Sequence, residues 1–196
     1  LSVAAPALAQ DAAWPQFRGP DAVPVAEGAN LPDTWSTTEN VEWVVDVEGM
    51  GWSSPVVAGG RVFVTTARSD QEMKKPQIGT DYSNDYYAEL IEQGLSPEEA
   101  GRMVDARDMA GPDEIKLEYV VHAFDLETGA ALWERTIHSG PPPGGRHRKN
   151  SFTSEAPVTD GERLYVYVTN LGLWAFDLDG SELWHTPLKA WPIYLE

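Results

Sequence analysis

Four short apolar runs separated by tight-turn dipeptides lie between residues 156 and 184. The dipeptides are Asp160-Gly161, Thr169-Asn170 and Asp179-Gly180. Four strands joined by turns this short predict an antiparallel meander. In residues 164–168 aliphatic side chains alternate with tyrosines, so both faces of the predicted sheet are apolar. A small sheet that must be covered on both faces indicates a repeated unit.

The same pattern occurs a second time, divided by a long insertion. Residues 54–66 (SPVVAGGRVFVTT) match the first half of the meander, and residues 123–133 (AFDLETGAALW) match its second half at 175–184. The intervening stretch, residues 67–118, lacks the strand pattern. A third copy of the last strand alone occurs at 41–44.

The repeats predict an all-β fold: a β-propeller of four-stranded antiparallel blades, with about two blades present, an incomplete ring and a helical insertion in the first blade. The expected parts, in chain order, are a signal-peptide remnant (1–10), an irregular N-terminal arm (11–40) and a partial propeller (41–196). Within the propeller they are an orphan closing strand (41–47), blade 1 (53–66 and 119–136), the insertion (67–118) and blade 2 (154–186). Because a closed ring needs at least four blades, we expect the chain to be an N-terminal fragment.

The insertion carries helix signals. Tyr87, Leu90 and Ile91 share one helical face, and Gly94 is placed as a C-terminal stop. The tetrapeptide at 96–99 (Ser-Pro-Glu-Glu) is a capping box with proline at the first helical position. The insertion could shield the blade, or it could act as a lid or docking surface.

One motif connects the repeats with a known family. Its pattern is Ala-x-Asp-x-x-Thr-Gly-x-x-x-Trp, complete at Ala123, Asp125, Thr128, Gly129 and Trp133 and partly repeated at Ala175, Asp177, Gly180 and Trp184. It resembles the tryptophan-docking repeat of pyrroloquinoline quinone (PQQ) proteins, which also occurs in BamB-like outer-membrane assembly propellers that bind no quinone.

The opening at 14–20, WPQFRGP, is similar to the start of exported bacterial members of this PQQ-like, quinoprotein-like superfamily. The resemblance implies structural roles for the motif: tryptophans buried between blades and aspartates in hairpin turns.

Composition restricts the partners. The formal net charge of −17 argues against nucleic acid and anionic membrane surfaces. The absence of cysteine excludes disulfides, thiolate metal sites and a catalytic thiol. Residues 1–10, LSVAAPALAQ, resemble the end of a secretory signal, which predicts a periplasmic or secreted protein.

Binding chemistry is expected at one rim of the propeller. The insertion and the long connection at 137–153 lie on the same rim of an antiparallel meander, whereas the opposite rim carries only short turns. The connection holds the one basic cluster in an acidic chain: Arg146, His147, Arg148, Lys149 and Asn150. This cluster could bind an anionic ligand, or it could neutralise the acidic insertion. Four residues that precede the innermost strands could line the mouth of the channel, or they could simply be small polar residues that suit a crowded position: Ser53, Ser54, Ser154 and Glu155.

No catalytic constellation is visible in the sequence. No nucleophile motif or phosphate loop occurs, and the four histidines are not spaced as metal ligands. We therefore expect no catalytic residues, no metal and no cofactor, in a scaffold or binding module of the BamB-like kind. The alternative is part of a PQQ-dependent dehydrogenase, which would need calcium and further ligands. The partner could be another protein, a small anionic or sugar ligand at the elaborated rim, or further blades.

Overall fold

The structure, a computed structural model, describes residues 13–25, 32–73, 84–109, 115–144 and 150–189. Within these ranges the chain forms two four-stranded antiparallel sheets, each ordered by sequence. The predicted all-β architecture of consecutive four-stranded blades is confirmed.

The first sheet consists of β1 (Val56–Ala58), β2 (Arg61–Arg68), β3 (Leu117–Asp125) and β4 (Ala131–Gly140). The second consists of β5 (Val158–Thr159), β6 (Arg163–Val168), β7 (Gly172–Asp177) and β8 (Glu182–Thr186). Blade 1 extends beyond the predicted bounds, because β3 begins two residues earlier and β4 ends four residues later than expected.

The core lies between the two sheets. Val56, Phe63 and Val121 of blade 1 are fully buried and belong to one apolar cluster with Leu164 and Phe176 of blade 2. The alternation predicted for 164–168 is observed, since its aliphatic side chains are buried and its tyrosines are half-buried. Burial of both facing surfaces is the main stabilising term for this pair of sheets.

A tryptophan of one blade docks on a glycine turn of the next. The Trp133 indole N–H donates to the Leu178 carbonyl at 2.9 Å. The ring covers Gly180, where an added Cβ would lie 2.6 Å from the indole. This approach requires glycine, which also adopts φ +83° here without strain. Trp133 thereby fixes the position of blade 2 relative to blade 1.

The same contact is made by Trp43 on blade 1. Its indole N–H donates to the Leu126 carbonyl at 3.0 Å, and its ring lies 2.6 Å from the Cβ position of Gly129. The described residues at 41–47, expected to be an orphan closing strand, pair with no other strand. The segment is held by the tryptophan side chain instead of backbone pairing.

Trp184 departs from the expected burial. Its side chain is 41% exposed, whereas Trp133 is half-buried. Among the described residues no glycine turn lies against Trp184, and its nearest aromatic neighbour is Tyr165, at 6.2 Å between ring centroids. The motif therefore produces burial only where a following turn packs on the ring.

The N-terminal arm hydrogen-bonds to the first strand of both blades. Trp14 forms an isolated antiparallel bridge with Val57, and the Thr159 N–H donates to the Pro15 carbonyl at 2.8 Å. The Trp14 ring packs on Gly19, whose Cβ position lies 2.7 Å away. The arm thus joins the edge strands β1 and β5.

The insertion contains α1 (Asn84–Glu92) and α2 (Pro97–Met109), which confirms a helical insertion between the second and third strands of the first blade. Ser96 and Glu99 form the predicted capping box. The Ser96 N–H donates to the Glu99 carboxylate at 2.9 Å, and the Glu99 N–H donates to the Ser96 hydroxyl at 3.3 Å. Gly94 ends α1 at φ +92°.

Gly180→Ala should destabilise the protein more than Gly161→Ala. Both glycines have positive φ, but only Gly180 faces the Trp133 ring, and a Cβ at Gly161 would meet nothing within 4 Å. Gly161→Ala should cost about 1–2 kcal/mol from backbone strain alone. Gly180→Ala adds a steric overlap, for a total of about 2–5 kcal/mol. Urea denaturation measures both; equal losses would contradict the docking contact.

Candidate functional site

A polar pocket of about 180 Å³ lies where the two blades meet at the elaborated rim. It is formed by the start of β3, the connection from β4 to β5 and the turn between β6 and β7. Its lining residues are Tyr119, Pro143, Gly144, Asn150, Ser151, Phe152, Ser154, Glu155, Val168, Thr169 and Asn170. The pocket therefore combines side chains from both blades.

Tyr119 contributes the most deeply buried polar group of the pocket. Its side chain is 2% exposed, yet among the described residues none receives a hydrogen bond from its hydroxyl. Burial, together with the negative charge of Glu155, raises the pKa of Tyr119 far above its usual value. The phenol therefore keeps its proton at neutral pH and remains a hydrogen-bond donor. His138 contacts its ring edge-on at 5.8 Å between centroids.

Glu155 is held in place by blade 2. Its Oε1 accepts hydrogen bonds from both the backbone N–H and the hydroxyl of Thr169. These bonds fix the carboxylate at the turn after β6, with Oε2 unpartnered among the described residues. The pocket thus contains an oriented acceptor near a protonated phenol.

The connection at 151–154 is tied to the segment preceding β1. The Ser151 hydroxyl accepts from the Trp52 N–H at 3.1 Å and lies 3.2 Å from the Ser154 hydroxyl. The Trp52 N–H also reaches the Thr153 carbonyl at 3.0 Å, and the Thr153 hydroxyl donates to the Met50 carbonyl at 3.0 Å. Because Met50 in turn pairs with Ala67 of β2, this wall of the pocket is anchored to blade 1.

A second polar cluster surrounds Arg68 on the same rim. Its guanidinium contacts Glu48 at 3.2 Å, Glu118 at 3.0 Å and Glu134 at 2.9 Å. The hydrogen bond that Arg68 donates to the Glu118 carboxylate is the main reason why the pKa of Arg68 is raised. These carboxylates are partly exposed, so the ion pairs add little stability. Because three carboxylates surround Arg68, its positive charge is already neutralised within the protein.

His122 lies beside this cluster. It is buried, its Nε2 lies 2.9 Å from the Thr66 hydroxyl, and its Nδ1 lies 3.4 Å from Glu134. Burial lowers the pKa of His122, which keeps the imidazole neutral at pH 7. His122 occupies the position in blade 1 that Trp174 occupies in blade 2. There, the Trp174 ring stacks on the His185 ring, with 4.0 Å between their centroids.

The motif residues are used by the fold. Ala123 and Ala175 are fully buried. Asp125 accepts from the Thr128 N–H at 2.8 Å and the Thr128 hydroxyl at 2.7 Å. Asp177 accepts from the Ser181 N–H at 2.7 Å. These hydrogen bonds lower the pKa of both aspartates, so their carboxylates stabilise turns.

The predicted basic cluster falls largely outside the described residues. Arg146, His147, Arg148 and Lys149 are not among them, whereas Asn150 is described and lines the pocket. In the described part of the chain, no group of three or more His, Asp or Glu side chains is placed to hold a metal ion.

Three of the candidate residues expected from the sequence line the pocket: Asn150, Ser154 and Glu155. Ser53 and Ser54, which share the expected position at the channel mouth, are not among its lining residues. Tyr119 was missed because it begins an apolar run and looks like a core aromatic residue. The position of this tyrosine near a strand end on the elaborated rim is the sequence feature that could indicate a role in the pocket.

The fold and its docking contacts define a class of protein: consecutive four-stranded blades of the propeller type. Residues 118–193 match the family model described as "Outer membrane protein assembly factor BamB". The match supports the assignment of this stretch to the PQQ-like repeats. No curated protein matches the chain. None of the described helices has the length and apolar character needed to cross a membrane.

The turn carboxylates predict an acid dependence of stability. The Tyr165 hydroxyl, with the N–H groups of Glu162 and Arg163, lowers the pKa of Asp160 from 3.8 to about 2. A lowered folded-state pKa means that this stabilisation is complete above pH 3.8 and is lost as the pH falls toward about 2.

Urea denaturation between pH 6 and pH 2 should show a smaller acid loss of unfolding free energy for Asp160→Asn than for the wild type. Asp33→Asn, on the exposed arm, is the matched control and should keep the wild-type slope. An unchanged slope in Asp160→Asn would show that the turn hydrogen bonds do not persist in solution.

Proposed function

We propose that this chain is an exported, non-catalytic module of PQQ-like repeats that acts as a scaffold or binding protein. The observation that carries the proposal is the use of the repeat motif. Asp125 and Thr128 close a turn, and Trp133 docks on the next blade. The described residues of the motif therefore stabilise the fold. A structural motif of this kind is what we expect of a scaffold or binding protein.

The family description supports a role of this kind. The matched family is described as an outer membrane protein assembly factor, and we propose a similar binding role outside the cytoplasm for this chain. The resemblance of residues 1–10 to the end of a secretory signal supports export. We expect the natural protein to be found in the periplasmic or secreted fraction.

The elaborated rim is the proposed binding surface. It carries the helical insertion, the long connection and the polar pocket, whereas the other rim carries short turns occupied by docking. Arg146, His147, Arg148 and Lys149 belong to the same connection and, with Asn150, remain the proposed contacts for anionic groups. Attraction through these exposed cations should weaken with salt, because charges are screened beyond roughly 8–10 Å.

We expect no PQQ-dependent oxidoreductase activity from this chain. The chain incubated with PQQ and Ca²⁺ should show neither saturable quenching of tryptophan fluorescence nor reduction of an artificial electron acceptor in the presence of alcohols or aldoses. A quinoprotein dehydrogenase assayed in parallel controls for the reagents. Saturable quenching together with cofactor-dependent dye reduction would contradict the proposal and support the dehydrogenase alternative.

A further inference from the structure

We propose that the pocket between the blades binds a small uncharged polyhydroxylated ligand, of the size of one monosaccharide unit. The inference rests on the proposed role as a binding module and names the chemical class of its ligand.

The pocket has the volume for one ring. It measures about 180 Å³. An apolar cavity of about 150 Å³ in another protein accommodates benzene, so this space admits a single six-membered ring. Its walls differ from such an apolar cavity, because hydroxyl, amide and carboxylate groups outnumber the apolar side chains Phe152, Pro143 and Val168.

The mixture of donors and acceptors selects hydroxyl groups. The Tyr119 phenol donates and the Glu155 carboxylate accepts, while the hydroxyls of Ser154 and Thr169, which donate their protons to Ser151 and Glu155, can also accept. An anion would require donors alone, and an ammonium group would require acceptors alone. A ligand hydroxyl both donates and accepts, so a polyol can satisfy all of these groups together.

Tyr119 can supply a hydrogen-bond donor to a ligand in the pocket. The residue is 2% exposed, and among the described residues none accepts a hydrogen bond from its hydroxyl. The group lines the pocket beside Glu155. A ligand oxygen that accepts from Tyr119 and a ligand hydroxyl that donates to Glu155 would satisfy both.

The pocket is organised in advance. Thr169 orients Glu155 through two hydrogen bonds, and Ser151 is fixed by the Trp52 N–H. Binding therefore requires little ordering of these groups, which favours affinity for a small ligand. The net charge of −17, with Glu155 in the wall, disfavours an anionic occupant.

Saturation-transfer NMR on the full chain tests the proposal. The probes are four methyl glycosides, of glucose, galactose, mannose and N-acetylglucosamine, with butylammonium and butyrate as charged comparisons. In 0.5 M NaCl, which screens the exposed cations of the rim, we expect saturation of the ring protons of at least one glycoside and none for the two ions.

Two substitutions remove single polar groups from the pocket. Tyr119→Phe and Glu155→Gln should each raise the dissociation constant of that glycoside by roughly threefold to tenfold, the usual effect of losing one hydrogen bond. Tyr165→Phe and Glu162→Gln are matched controls on blade 2, outside the pocket lining, and should bind as the wild type does.

Three results would overturn the inference. They are an absence of saturation for all four glycosides, glycoside binding that survives both pocket substitutions, and saturation of butylammonium or butyrate in place of the sugars. Glu155→Gln keeps the test valid if Tyr119→Phe lowers the melting temperature. Because the assay contains no PQQ or electron acceptor, its failure is distinguishable from failure of the proposed function.

Discussion

The contact on which this structure depends is the docking of an indole ring on a glycine turn of the adjacent blade. Trp133 meets Gly180 and Trp43 meets Gly129 in the same way, with each indole N–H reaching a backbone carbonyl of the turn. The contact combines burial of a large aromatic surface with a directional hydrogen bond, so it fixes both the separation and the orientation of the sheets. A side chain at either glycine would occupy the space of the ring. The aspartate of each turn then has a defined purpose, because its carboxylate satisfies the turn amides that hold the glycine in position.

Because the tryptophans dock on turns at one rim only, the two rims of the described blades have different roles. The turns after β3 and β7 are occupied by docking, and Arg61 and Arg135 add an ion pair with Asp179 and a hydrogen bond to Gly180. The opposite rim carries the long connections, and in their described parts no tryptophan ring docks on a glycine turn. There, two blades held at a fixed separation leave a polar pocket between them. The pocket is thus a consequence of blade packing, and its hydrogen-bonding groups come from segments far apart in sequence.

Much of the fold could be predicted from the sequence because its signals are local. Turn dipeptides and period-two alternation specify the strands of blade 2, and the capping box is contained in four consecutive residues, Ser96 to Glu99. The orphan strand expected at 41–47 pairs with no described strand, and its attachment through the Trp43 side chain is a contact that no local pattern indicates. The exposure of Trp184 depends on what packs against it, so the motif alone could not specify it. The pocket was only partly predictable, since the pairing of Tyr119 with Glu155 arises from the packing of two blades.

Hydrogen exchange at the tryptophan indoles tests the docking contact most directly. In the ¹⁵N-labelled protein, the indole N–H protons of Trp43 and Trp133 donate to backbone carbonyls, whereas the side chains of Trp35 and Trp184 are 74% and 41% exposed. Protection follows from hydrogen bonding and burial of the exchanging group. The account predicts that the indole protons of Trp43 and Trp133 exchange with solvent much more slowly than those of Trp35 and Trp184. Exchange of all four at the same rate would show that the blades are not held together by tryptophan docking.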